Sequence, residues 1–484
     1  MRGRRGSLAV GLAAAGMVGL LPPAAAASGD ASRIEWKACA GEEAKAGMQC
    51  AAIKVPLDWA DPGGRKITLD LARLPATARA HRIGSVLHVP GGPGAKGIDD
   101  LRHAAGDLTG LRRRFDLVAY NPRNTDLMAK LPPTCARLAV PFLVEPRDRA
   151  EYEAQAAAFA KAMRTCHTED RSGLYGRLDS LAVAHDMEAI RAALGERRLS
   201  FMANSYGGVP AAAYLRLFPQ RVRAMYLDGV INQPAGWESQ HLVAMRGMER
   251  MFSRFSTWCA ATESCALHGE DAGKVWRRLI ARADRTPIPV SSAEFGKARL
   301  TGSQIRWFGF MPDPGPGNAR WQAFAEAVDR ARHGDGSGFA EVALGNARVW
   351  AMPLVLGMSC GDGRGYTGYA QYERFRRQAR AVSPNFGGAA FDSVGCSGWP
   401  LPVANPPRPL PTEELPPLLG AGTWVDYAWT ESLVRRVPGS ATIRYGGLGH
   451  VLYLSGNRCA IGHATRYLTD LTLPPGGTVC LPEE

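Results

Sequence analysis

Polar and apolar residues alternate along two runs, Ala51-Ala52-Ile53-Lys54-Val55 and Lys66-Ile67-Thr68-Leu69-Asp70-Leu71. A period of two predicts strands. The next apolar runs do not alternate: Ser85-Val86-Leu87-His88-Val89 and Phe115-Asp116-Leu117-Val118-Ala119-Tyr120 suit strands of a sheet covered on both faces. Helical spacing marks residues 148–168 and 179–195, where Leu181, His185, Ile190 and Leu194 are expected to share an inward stripe. Leu199-Ser200-Phe201-Met202-Ala203 reads as a strand, 206–218 as a helix and Ala224-Met225-Tyr226-Leu227 as a strand. Alternation of strand and helix predicts an α/β fold with a mostly parallel sheet and right-handed crossovers.

The pattern changes near residue 235. From there to about 395 the chain reads as mostly helical, broken by stretches such as Pro312-Asp313-Pro314-Gly315-Pro316-Gly317. A Pro-rich connector from Pro400 to Pro417 leads back to a strand (Leu418-Leu419), a helix (428–437), a strand (Thr442 to Tyr445) and a last helix (458–469). The expected organisation is an N-terminal leader at 1–27, a core from 28 to 235, an inserted helical cap from 236 to 395 and the rest of the core from 396 to 484.

Composition narrows the class. Of 484 residues, 46% are hydrophobic and 21% charged, which suits a globular protein rather than a disordered one. The net charge of +13 invites a nucleic-acid reading, but the basic residues are scattered and form no long run. Met1-Arg2-Gly3-Arg4-Arg5, the apolar stretch Leu8 to Leu21 and the small residues Ala24 to Ala27 have the order of a cleaved secretory signal peptide. No later run is long and apolar enough for a membrane span, so a soluble, secreted, extracellular protein is expected. Ten cysteines fit export. Their order suggests neighbours pairing: Cys39 with Cys50, Cys135 with Cys166, Cys259 with Cys265, Cys360 with Cys396, and Cys459 with Cys480. The rival is zinc at Cys259, Cys265 and His268, without any paired knuckle to support it.

Three loops carry the candidate chemistry. In Phe201-Met202-Ala203-Asn204-Ser205-Tyr206-Gly207-Gly208, a serine stands between a buried strand and a helix, as in a nucleophile elbow. The Tyr206 N–H is one candidate oxyanion donor, and the bland alternative is a serine capping an ordinary helix. Pro90-Gly91-Gly92-Pro93-Gly94 follows an earlier strand, and the N–H of Gly91 or Gly92 is the second candidate donor. Gly92, Gly94 and Gly97 also match a dinucleotide fingerprint, but Pro93 lacks an N–H, and Asn121 stands where an acidic residue belongs. Gly446-Gly447-Leu448-Gly449-His450 offers an imidazole on a glycine-rich loop after a late strand, the placement of a general base. The candidate acid is Asp426, which follows the penultimate strand and fits the chain order Ser…Asp…His; Asp228, which ends the strand after the nucleophile, is the fallback.

These blocks are similar to the secreted tripeptidyl-aminopeptidase branch of the proline-iminopeptidase-like α/β-hydrolases. The likeness rests on Cys50 with Val55-Pro56-Leu57-Asp58, on Pro90 to Gly94, and on Ala193-Leu194-Gly195 followed by Ser205-Tyr206-Gly207. It continues through Leu227-Asp228-Gly229-Val230, Trp258-Cys259 with Cys265, Gly449-His450, Cys459, Tyr467-Leu468, Leu473-Pro474 and Gly477-Thr478-Val479-Cys480. The resemblance implies an α/β-hydrolase fold with helices on both faces of the sheet, a Ser205–His450–Asp426 triad and no cofactor. It implies removal of short peptides from free N-termini, with the cap reading the amine. Glu238, Glu249, Glu263 and Asp271 are the cap acids to consider. An esterase or amidase acting on acylated small molecules is the alternative, as is a catalytically impaired or purely binding member. No nucleic-acid or membrane partner is expected, and the oligomeric state is not legible. The departures from the pattern are Ala203 in place of glycine, Asn124 and Asp126 within Asn121 to Met128, Ala95-Lys96 after the glycine loop, and a shortened acid motif around Thr423 to Tyr427.

Overall fold

A computed structural model of the chain describes residues 34–123, 125, 131, 135, 145–310, 316–350, 353–388, 391–447 and 449–482. The leader at 1–27, the positions Asn124, Asp126, Leu127, Met128 and Leu448, and Pro312 to Gly315 lie outside them.

Among the described residues ten strands form one sheet: β1 (Lys37–Ala38), β2 (Gln49–Pro56), β3 (Lys66–Leu74), β4 (Gly84–Val89), β5 (Phe115–Tyr120), β6 (Leu199–Asn204), β7 (Val222–Asp228), β10 (Leu419–Gly422), β11 (Ala441–Tyr445) and β12 (Val479–Cys480). Their order is β1-β2-β3-β5-β4-β6-β7-β10-β11-β12. The pairs from β1 to β5 are antiparallel and all the others parallel. The unbroken apolar runs are buried on both sides, as their composition requires. Leu117, Ala119, Met202 and Tyr226 pack into one apolar cluster, while Val118, Tyr120, Phe201 and Leu227 pack into the other.

Two expectations need correction. On the helix Ser180–Ala193 the inward residues are Val183, Met187 and Ile190, whereas Leu181, His185 and Leu194 are only half-buried. The polar carboxylate of Asp186, buried in an ion pair with Arg123, hides the true stripe from a simple apolar count. The helix after the serine begins at Gly208, because Ser205–Gly207 forms a separate tight turn.

From Met251 to Phe386 the chain builds an apolar cluster of its own around Phe252, Phe255, Trp276, Phe310 and Phe324. It is mostly helical but contains a hairpin, β8 (Ile288–Ser292) with β9 (Gly296–Leu300), that helical spacing did not reveal. Among the described residues no helix is long and apolar enough to cross a membrane. Disulfides join Cys39–Cys50, Cys135–Cys166, Cys259–Cys265, Cys360–Cys396 and Cys459–Cys480. The sulfurs of Cys259 and Cys265 are therefore not available to a zinc ion beside His268.

Candidate active site

At the carboxyl end of β6 the chain reverses sharply. Ser205 has φ of +50°, a left-handed conformation that a side chain occupies only at a cost of about 1–3 kcal/mol. Its surroundings enforce it. The Ser205 carbonyl accepts the Ile231 N–H at 3.1 Å. A Cβ on Gly207 would lie 2.4 Å from the Val89 carbonyl oxygen, so only glycine lets the helix start this close to β4. Ala203 carries no such restriction: its methyl group joins the apolar cluster with Leu87 and Leu227.

The glycine loop after β4 meets this turn. A Cβ on Gly91 would stand 2.5 Å from Asn204 Oδ1 and 2.7 Å from Ser205 Cβ. Among the described residues, no hydrogen bond takes up the N–H of Gly91, Gly92 or Tyr206. Ser205 itself is half-buried where the glycine loop and the serine turn meet.

His450 follows β11 on a loop strained at the next residue, since Val451 has φ of +61°. The ring Nδ1 lies 2.6 Å from Asp426 Oδ2, and Asp426 is fully buried. Asp426 does not cap the helix Tyr427–Val434 with its side chain; its Oδ1 accepts the Thr423 N–H at 2.7 Å. Thr423 in turn donates its hydroxyl to the Gly449 carbonyl at 2.9 Å, fastening the acid loop to the histidine loop. Burial alone lowers the His450 pKa, but the hydrogen bond and charge of Asp426 outweigh it and raise the value above 6.5.

Asp228 is not the partner of His450. Its Oδ2 accepts from the Tyr226 hydroxyl and from the Tyr453 N–H, each at 3.0 Å, and burial pushes its pKa up to about 6. Ser205 and His450 border the same segment after β7: Ile231 holds the Ser205 carbonyl, and a Cβ on Gly229 would lie 3.2 Å from His450 Cε1. Among the described residues no hydrogen bond joins the Ser205 hydroxyl to the ring.

Residues 84–287 match the α/β hydrolase fold family, and residues 383–480 match the family described as TAP-like protein. The chain belongs to the TAP-like α/β-hydrolases. It is a serine hydrolase of that family. Serine protease Hip1 of Mycobacterium tuberculosis (strain H37Rv) is 28% identical over 492 residues, which cover 92% of this chain and 91% of that protein. Tripeptidyl aminopeptidase of Streptomyces lividans is 26% identical over 426 residues, 82% of this chain and 76% of that one. Carboxylesterase B of M. tuberculosis (strain CDC 1551) is 26% identical over 468 residues, 90% and 86%.

Around its site this TAP-like hydrolase has supports that motif reading missed. Asp362, fully buried beyond the end of the helix Pro353–Gly361, accepts from the Tyr206 hydroxyl at 2.7 Å and from Ser180 Oγ at 2.6 Å, with burial raising its pKa to about 6. Arg123 makes a two-pronged pair with Asp186 at 2.6 and 2.7 Å, both side chains fully buried. Neither acid has a periodic or motif signal in the chain; their partners are 156 and 63 residues away. Three of the four cap acids have structural partners. Glu249 accepts from Ser383 Oγ, Asn385 N and Asn385 Nδ2, Glu238 accepts from Gln371 at 2.6 Å, and Asp271 caps the helix Ala272–Arg285. Glu263 is exposed. His241 bonds the Trp237 carbonyl at 2.8 Å and packs against Phe375.

Proposed function

We propose that the protein is an exported serine peptidase that releases short peptides from free N-termini. The observation that carries this reading is the 2.6 Å contact between His450 Nδ1 and the buried Asp426, set beside a serine in a strained turn. With Nδ1–H donating to Asp426, the ring's Nε2 is free to accept a proton. Ser205 Oγ attacks the scissile carbonyl carbon as Nε2 takes the hydroxyl proton. The oxyanion gathers at the N–H groups of Tyr206 and of Gly91 or Gly92. His450 then returns the proton to the leaving amine, and water repeats the cycle on the acyl-enzyme. The Ser205–His450 hydrogen bond is to form with substrate, as such contacts commonly tighten in the Michaelis complex.

Peptide cleavage is supported by the relatives named serine protease and tripeptidyl aminopeptidase. Export is supported by the basic-then-apolar leader at 1–27 and by five disulfides. Ester hydrolysis is the second reading, favoured by the engagement of Glu238, Glu249 and Asp271 in structural hydrogen bonds, which leaves few cap carboxylates for an amine. A panel of free-amine tripeptide anilides, their N-acetylated forms and simple aryl esters decides between them. Free-amine substrates are expected to give the highest kcat/KM; a preference for blocked peptides or esters rejects the aminopeptidase reading.

A further inference from the structure

Beneath the serine turn runs a chain of buried polar groups that the reaction above does not use. Asn204 Nδ2 donates to the Tyr453 hydroxyl oxygen at 2.9 Å. The same hydroxyl lies 2.8 Å from His88 Nδ1, and His88 Nε2 lies 3.1 Å from Asp100 Oδ2. Proton bookkeeping sets the direction. Since the Tyr453 oxygen accepts from Asn204, its own proton goes to His88 Nδ1. The ring proton then sits on Nε2 and is donated to Asp100. The Tyr453 hydroxyl and the His88 ring each accept one hydrogen bond and donate one, and His88, Asn204 and Tyr453 are each at most 5% exposed.

The placement of these groups along the chain is what matters. His88 and Asp100 bracket the glycine loop on its two sides, Asn204 is the residue before Ser205, and Tyr453 is three residues past His450. Asn204 Oδ1 lies against Gly91, and the Tyr453 main-chain N–H is held by Asp228. One hydrogen-bonded chain therefore joins the three backbone segments whose mutual distances set the reaction geometry.

We propose that the Asn204–Tyr453–His88 chain is a positioning unit that holds the histidine loop, the serine turn and the oxyanion loop in register. The proposal rests on the catalytic reading of Ser205 and His450, and none of its three residues touches the reacting atoms. A misplacement of about 1 Å at such a site costs on the order of a hundredfold in rate, so loss of one link should be plainly measurable.

Tyr453→Phe is the informative change: it keeps the ring and the N–H bond to Asp228 and removes only the hydroxyl. Tyr453→Phe, Asn204→Ala and the double variant would be compared for kcat and KM, and for the rate at which a fluorophosphonate labels Ser205. Active sites are counted by titration, so that partial unfolding does not enter the rates. The expected result is a fall of about tenfold in kcat and in labelling rate for each single variant, with KM within about twofold. The double variant should be no worse than the poorer single, because both break the same chain. Wild-type rates per active site in Tyr453→Phe, or losses that multiply in the double variant, overturn the proposal. If the wild-type protein is not labelled at Ser205 at all, the catalytic reading fails instead.

Discussion

Replacing Asp426 by Asn keeps the side chain's volume and exchanges one carboxylate oxygen for an NH2 group. The hydrogen bonds determine which one. Oδ1 accepts the buried Thr423 N–H at 2.7 Å, so the amide oxygen must stay there, since an NH2 group would leave that donor facing another donor. The NH2 then faces His450 Nδ1 across the 2.6 Å contact and needs an acceptor from the ring. The ring proton is driven to Nε2, the atom that in the proposed reaction must be unprotonated to receive the Ser205 proton. A wrong tautomer in a triad of this kind costs about 10⁴ in kcat, or about 5.5 kcal/mol of barrier. Loss of the carboxylate charge also removes the influence that raises the His450 pKa above 6.5. In the wild-type enzyme kcat/KM should therefore rise with pH through a midpoint above 6.5, and in the Asn variant the residual activity should rise at lower pH. The assay is kcat/KM across the neutral range together with fluorophosphonate labelling of Ser205. Asp228→Asn, which keeps an acceptor for the Tyr453 N–H, is the control and should lose less than tenfold. An Asp426→Asn enzyme that keeps a tenth of wild-type kcat/KM, or one less impaired than Asp228→Asn, refutes the assignment of the acid.

Three further outcomes follow from the same geometry. Gly91→Ala places a methyl group 2.5 Å from Asn204 Oδ1 and 2.7 Å from Ser205 Cβ, and should lower kcat by about 10²–10³ by forcing the glycine loop away from the serine turn, as measured by steady-state kinetics on folded protein. Asp362 has its pKa raised from 3.8 to about 6, so the stability linked to it is fully present below about pH 4 and is lost as pH rises through about 6. Relative to Asp362→Asn, the wild-type protein should thus lose up to about 3 kcal/mol between pH 4 and pH 7 in urea unfolding, and a pH-independent difference would contradict the burial argument. Arg123→Ala leaves the carboxylate of Asp186 buried without its cation and should cost about 3–5 kcal/mol, read by the same unfolding curves.

Much of the sheet was legible because burial on both faces writes itself into the chain as unbroken apolar runs, as at β4, β5 and β6. The hairpin β8–β9 was not, because its five-residue strands carry polar residues on an exposed face and lie among helices. The stripe on the helix Ser180–Ala193 was misassigned because a buried ion pair looks polar in sequence. At the site, Ser205 and His450 stood out through the glycines that tight turns demand, whereas Asp426 was preferred to Asp228 only on chain order and its place after the penultimate strand.

The sequence by itself determined the kinds of chemistry available: a serine after a buried strand, glycine loops able to approach it, a lone histidine on a flexible-looking loop and paired cysteines. These are local properties, set by steric limits on neighbouring backbone and by hydrophobic period. The tertiary structure alone decided which acid meets the imidazole, which cap carboxylates are already engaged in hydrogen bonds, and that Asn204, Tyr453 and His88 form one chain. The imidazole's pairing and those of the Asn204 chain join residues 24 to 365 positions apart, and the hydrogen bonds act over about 3 Å of space. Only the side-by-side pairing of β4, β6, β7, β10 and β11 brings their ends within that reach.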